Sequence, residues 1–257
     1  MTVDSQRDAS NDHVARLRID TGDLNLLNPD SVREIRDAVE RVPDDVSVLV
    51  LGGPGDAAGL TAGLDLSVAR DFSVSEARTF LRSLHGTIRT VRNADAVTVC
   101  ECGEYALGAG LELAMACDFR VATAEAALGL PEVDVGLVTG IQGGLLVRLV
   151  GLQAAKELVY TGEPVSGREA AELGLVNEAP PADAYADAVE RYVSTLAAKS
   201  PHVLREQKRV FRSWRSVGLE RGMEHSLETI AACFDTPDQT EAMSAFLEGR
   251  DPSFEDR

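Results

Sequence analysis

The chain has 257 residues, 44% hydrophobic and 26% charged, an ordinary globular composition for one large domain or a domain with an appendage. No apolar run approaches the roughly 20 residues of a membrane span, Met1–Asp12 is too polar for a secretory signal, and four Cys exclude a disulfide scaffold. With 25 basic against 42 acidic residues and a net charge of −17, a basic surface for nucleic acid is excluded too, and a cytoplasmic protein is expected.

In chain order, residues 1–12 are expected to be a flexible tail. Val14 and Arg16–Ile19 read as a short strand. Asp30–Val42 reads as a helix, because Val32, Ile35, Val39 and Val42 share one face. Val46–Leu51 is β-branched and apolar and runs into Gly52-Gly53-Pro54-Gly55, the pattern of a buried strand entering a loop. Ser75–Val91 is helical, with Ala77, Phe80, Leu81, Leu84, Ile88 and Val91 expected inward. Ala96–Cys102 is strand-like, Leu111–Ala116 helical and Phe119–Ala122 strand-like. This alternation predicts an α/β layer architecture.

Beyond about residue 140 the strands nearly vanish. Gly143–Val150, Gln153–Tyr160, Gly167–Leu173, Ala182–Ala198, Pro201–Val217, Leu219–Phe234 and Pro237–Leu247 all read as helices. Pro201 after Ser200 and Pro237 after Thr236 suit helix starts. The predicted organisation is a core over 13–195 followed by a helical region over 196–257.

Three glycine-centred turns follow predicted strands: Leu60–Leu66, Tyr105–Leu113 and Leu128–Val133. Gly108-Ala-Gly110 opens a helix, whose first N–H groups lack internal partners and lie at the positive end of the dipole. Small residues there either admit an anionic oxygen or only permit tight packing. No Gly-Lys-Ser/Thr follows, and the dinucleotide pattern is incomplete. Glu132, after Pro131, sits among Leu128, Leu130 and Val133. Such a carboxylate is either a loop-surface residue or one that is paired, protonated or used, because apolar surroundings disfavour its charge. Two carboxylates in one pocket would be acid/base equipment.

The combination resembles the crotonase (enoyl-CoA hydratase/isomerase) superfamily over about residues 14–257. Tyr105–Asp118 is similar to its Gly-x-x-x-Gly-Gly-Gly-x-Glu-Leu-Ala-x-x-Cys-Asp motif, and Thr61–Leu66 to its Ala-Gly-Ala-Asp-Leu turn. Pro131-Glu132, Thr161–Asn177 and Gln239–Phe254 resemble further signatures. The resemblance implies a spiral of ββα turns with a C-terminal helical trimerisation region, and a homotrimer or homohexamer. It implies an acyl-CoA substrate and no cofactor beyond that CoA. The oxyanion-hole N–H groups would be those of Leu64 and Ala109, with Ala62, Gly63, Asp65, Leu66, Gly108 and Gly110 around the substrate. Glu112 and Glu132 would be the two catalytic glutamates of a hydratase. An enoyl-CoA isomerase, another acyl-CoA lyase or a non-catalytic acyl-CoA-binding protein are the alternatives. The sequence departs from the family at Glu104, at Ala109 in the Gly triplet, at Leu64 in place of Ala, and in Gly136–Gly140, where the family often has Pro.

Other residues carry less. Cys100 and Cys102 alternate on one strand face, Cys117 and Cys233 read as isolated, and no metal spacing results. Asp65 and Asp118 suit hydrogen-bonded turns. Trp214, between Arg212 and Arg215, reads as a helix-packing residue; these Arg are also candidate partners for CoA phosphates in a chain with only three Lys.

The acidic residues are spread along the whole chain, which points either to a solvated surface or to adaptation to high salt, where their mutual repulsion is screened. On the second reading the thermal midpoint should be clearly higher in molar salt than at roughly 50 mM. Equal midpoints would remove the salt-adaptation reading.

Overall fold

A computed structural model of the chain describes residues 2–8, 11–55 and 57–254. Among them lie the strands β1 (Thr2–Asp8), β2 (Asn11–Asp20), β3 (Val48–Gly52), β4 (Val97–Leu107), β5 (Phe119–Gly129) and β6 (Val165–Ser166). The helices are α1 (Pro29–Glu40), α2 (Leu66–Ala69), α3 (Val74–Asn93), α4 (Ala109–Ala116), α5 (Gly144–Thr161), α6 (Gly167–Glu172), α7 (Tyr185–Ala197), α8 (Pro201–Ser216), α9 (Leu219–Cys233) and α10 (Pro237–Glu248).

The strands form one sheet in the order β1-β2-β3-β4-β5-β6. Pairing is parallel from β2 to β5 and antiparallel at both edges. Successive strand residues point to opposite faces, and β3 is apolar on both. Val48 and Val50 join Val14, Val99 and Val121 beneath Tyr185, Val189 and Val193 of α7. Leu49 and Leu51 join Leu17 and Ile19 in the larger core, with Val32 and Ile35 of α1 and Leu84 and Ile88 of α3. Helices therefore cover both faces, as a parallel sheet requires.

Each turn of the chain continues past its main strand into a second, shorter ladder. Leu27 bridges Leu64, Thr61 bridges Ala106, Ala106 pairs with Leu128, and Leu128 with Val165. This is the spiral of ββα turns. It makes β4 and β5 longer than the periodicity predicts. β4 bends where its register shifts around Gly103, which takes φ +60, and a Cβ there would lie 1.8 Å from the Ala58 carbonyl oxygen. Only glycine fits. Glu104, the departure from the family pattern, is the exposed residue at this bend.

Two expectations need correction. Thr2–Asp8 of the expected tail is an edge strand; residues 1, 9 and 10 lie outside the described residues. The strand is polar and shows no alternation, so its main-chain ladder left no signal. Arg7 holds the Asp45 carboxylate at 2.7 Å, and Asp8 accepts from Arg16 at 2.6 Å. Gly143–Val150 and Gln153–Tyr160 are, as expected, the two helices that make up α5, separated by a kink at Gly151 with φ +79. On α3, Phe80, Leu84, Ile88 and Val91 are buried, but Leu81 is 41% exposed and faces a cavity instead of the core.

The boundary expected near 195 falls in the last turn of α7. Beyond it, Lys208 fastens α8 to the core. Its buried ammonium donates to the Ala96 carbonyl at 2.6 Å and pairs with Asp118 at 2.7 Å. Ser200 ties the start of α8 to Asp238 of α10 at 2.5 Å. α9 and α10 leave large apolar residues uncovered, Leu227, Phe234 and Phe246 among them.

Candidate active site

The three glycine-centred turns converge on one cavity of about 790 Å3. Ala62, Gly63, Leu64 and Leu66 line it from the first turn, Gly108, Ala109 and Glu112 from the second, and Pro131 and Glu132 from the third. The N-terminal half of α3 adds a helical stripe of Val74, Arg78, Leu81 and His85, and Phe72 and Phe80 make the wall apolar.

The first two turns meet backbone to backbone. A Cβ on Gly63 (φ +96) would lie 2.9 Å from the Leu107 carbonyl oxygen, and one on Gly110 would lie 2.3 Å from that of Thr61. The N–H groups of Ala62, Gly63 and Asp65 are engaged by Leu24 O, Thr61 Oγ1 and Leu27 O. In the parallel bridge to Leu27, Leu64 is flanked by the bonded Gly63 O and Asp65 N, so its own N–H points away from that partner. Ala109 is the first residue of α4, and its N–H has no partner within the helix. Gly108 makes this possible by taking φ +53.

Two carboxylates stand beside these groups. Glu112, in the first turn of α4, is 1% exposed and accepts the Gln142 N–H at 2.7 Å. Burial pushes its pKa up to about 7; main-chain N–H groups at 141–143 offset part of the shift, and the charge of Glu132 adds to it. Glu132, in the 3-10 turn Pro131–Val135, is half-buried and accepts the Thr139 hydroxyl at 2.8 Å. Its carboxylate lies over Gly108, where a Cβ would come within 3.2 Å. It is therefore no loop-surface residue.

Asp65 and Gly110 do not line the cavity. Asp65 caps α2 through the Ser67 N–H at 3.0 Å, and Gly110 serves the close approach to Thr61. Asp118 binds Thr98 and Lys208. Trp214 packs α8 on α9, donating to Ser226 at 2.9 Å. Cys117 is not isolated: it lies against Cys100, which also meets Cys102, and these contacts with burial push the Cys100 thiol well up. Among the described residues no cluster of three or more His, Cys, Asp or Glu could hold a metal ion.

Thr139, Gln142 and His85 escaped the sequence reading. His85 Nδ1 lies 2.9 Å from the Ile141 carbonyl oxygen and 3.3 Å from Gln142 Nε2. The spacing 74, 78, 81, 85 was the available signal for a second face on α3. Thr139 and Gln142 carry none, because their partners are distant in sequence.

The family model described as Enoyl-CoA hydratase/isomerase matches residues 9–257. The chain belongs to the enoyl-CoA hydratase/isomerase family. A crotonyl-CoA hydratase of Syntrophomonas wolfei is 35% identical over 90% of each chain. A short-chain-enoyl-CoA hydratase of Clostridium acetobutylicum is 30% identical over 88% of each. The crystal structure of an enoyl-CoA hydratase from Bacillus anthracis superposes with a TM-score of 0.92 over the whole of both chains at 27% identity. Of the site residues that the resemblance implies, all but Asp65 and Gly110 line the cavity.

The raised Glu112 pKa has a signed consequence. Between the ordinary carboxyl value of 4.5 and about 7, folded Glu112 keeps a proton that the unfolded carboxyl has lost, so this group makes the fold less stable as pH rises through that window. Urea unfolding should show the wild type losing roughly 3 kcal/mol more than Glu112→Gln between about pH 5 and about pH 8. Parallel pH profiles would mean that Glu112 titrates normally.

Proposed function

We propose that this chain is an enoyl-CoA hydratase, adding water across the α,β double bond of an enoyl-CoA thioester to give a 3-hydroxyacyl-CoA. The observation that carries the reading is the placement of Glu112 and Glu132 on one cavity wall beside the N–H groups of Leu64 and Ala109. Pure binding needs no second acid there. The names of the two curated relatives support the same chemistry.

In the proposed reaction the thioester oxygen accepts from the Leu64 and Ala109 N–H groups, which stabilise the charge that develops there. Glu112, ionised, takes a proton from water as the oxygen bonds to the β carbon. Glu132 delivers a proton to the α carbon. The proton gained by Glu112 then returns to Glu132 and resets the pair. Near neutral pH the raised pKa makes Glu112 a stronger base than an ordinary carboxylate while leaving much of it ionised. The Gln142 N–H and the Thr139 hydroxyl fix the two carboxylates. The reaction so drawn uses no cofactor beyond the CoA of the substrate. A cytoplasmic, salt-adapted setting belongs to the same proposal; among the described residues no helix is long and apolar enough to cross a membrane.

The uncovered faces of α9 and α10 support assembly as a homotrimer or homohexamer. Leu227 is 66%, Phe234 64% and Phe246 85% exposed in the single chain, large apolar side chains that an interface would cover. Light scattering should give a mass of three or six chains, and a monomer would contradict the assignment.

The loss of conjugated-thioester absorbance from crotonyl-CoA tests the reaction. Glu112→Gln and Glu132→Gln should each lower kcat roughly 10²–10⁴-fold with KM little changed. The double variant should fall far less than the product of the singles, because the two groups act as a unit. A near-neutral Glu132→Gln would replace hydration by a one-acid reaction such as double-bond isomerisation.

A further inference from the structure

A second hollow, of about 580 Å3, opens where the end of α3, the start of α5 and the end of α8 meet. Four guanidinium-bearing residues line it, Arg92, Arg148, Arg212 and Arg215, and among the described residues no acidic one does. In a chain with 42 Asp and Glu this is a local reversal of sign. Arg212 is neutralised by Asp95 at 3.0 Å and donates to the Asn93 carbonyl at 2.7 Å. Arg92 donates to the neutral Gln142 Oε1 at 2.9 Å. Among the described residues, Arg92, Arg148 and Arg215 have no carboxylate within 4.0 Å. Burial and the charges of Arg215 and Arg89 lower the pKa of Arg92, the mark of crowded positive charge without an offsetting anion.

Gly144 and Leu145 line the hollow as well, with the Leu145 N–H bonded to the Gln142 carbonyl at 2.9 Å. Gly144 has open space where a Cβ would stand. Ser216 lines the hollow too, its hydroxyl donating to the Arg212 carbonyl at 2.9 Å. The hollow shares Ile141 with the candidate active site.

We propose that this hollow binds a phosphate-bearing anion, separately from the substrate. Planar guanidinium forks match phosphate oxygens two at a time, and a diphosphate is long enough to engage several. The source is either free inorganic phosphate or a phosphorylated metabolite, and coenzyme A itself is the case to exclude.

Isothermal titration of the full chain with inorganic pyrophosphate at fixed salt tests this. One equivalent per chain is expected. The double variant Arg148→Gln/Arg215→Gln, with its fold checked by circular dichroism, should bind about tenfold or more weakly. A second titration in saturating coenzyme A should give the same affinity. Displacement by coenzyme A would assign the arginines to the substrate's own phosphates and overturn the separate site. Absence of binding, or binding that the double variant leaves unchanged, would overturn it as well. If pyrophosphate does not bind and Arg148→Glu breaks up the oligomer, carboxylates of a second copy fill the hollow and the proposal falls. None of these readouts depends on hydratase activity.

Discussion

The site hangs on how closely two stretches of main chain approach each other, Thr61–Gly63 and Leu107–Gly110. The carbonyl oxygens of Thr61 and Leu107 occupy space that a Cβ on Gly110 or Gly63 would need. Glycine at these positions answers to the close approach of the two backbones. It lets one turn of the spiral lie directly on the next, and the bridge Thr61–Ala106 records the contact. From that approach follow the direction of the Leu64 N–H, the start of α4 at Ala109, and the seat of Glu112 one helical turn later. A change that separates the two stretches would disturb all of these together.

The position of Glu112 is electrostatically uncomfortable, and the structure offsets the discomfort only in part. A carboxylate 1% exposed loses most of its hydration, and burial of a charge is costly unless it is hydrogen-bonded or paired. Among the described residues no cation comes to it. What it receives are main-chain N–H groups around Gln142, against the repulsion of Glu132. Gln142 can hold still because its own side chain is gripped between Arg92 and His85. One residue thus stands between the apolar cavity and the arginine-lined hollow, with its main chain serving the first and its side chain lining the second.

What the sequence made legible follows from range. α1 was readable because Val32, Ile35 and Val39 repeat within a few residues and all are buried. β3 was readable because every position is apolar and a glycine-rich turn follows. The glutamates and turns came through family motifs that are contiguous in the chain. The edge strand Thr2–Asp8 was not readable, since its ladder is main chain and its side chains are polar. The cavity face of α3 was mistaken for core, because apolar spacing does not say whether the partner is protein or open space. Thr139 and Gln142 were silent, since their roles arise only when the loop at 139–143 is laid against residues 112 and 132. The close contact of Cys117 with Cys100 is of the same kind.

Strand order in the sheet equals strand order in the chain. Each new strand therefore adds at an open edge, and none has to be threaded between two partners already joined. The sheet can grow in the direction of synthesis, with every turn covering the edge left by its predecessor. β1, antiparallel to β2, covers the outer edge of β2 at the outset and is itself the first edge of the sheet. β6, only two residues long, closes the last edge and gives no template for further growth. The apolar faces of α9 and α10 leave the ribosome after this work is done, so the surface most prone to stick is made when the rest of the molecule has little left to misjoin.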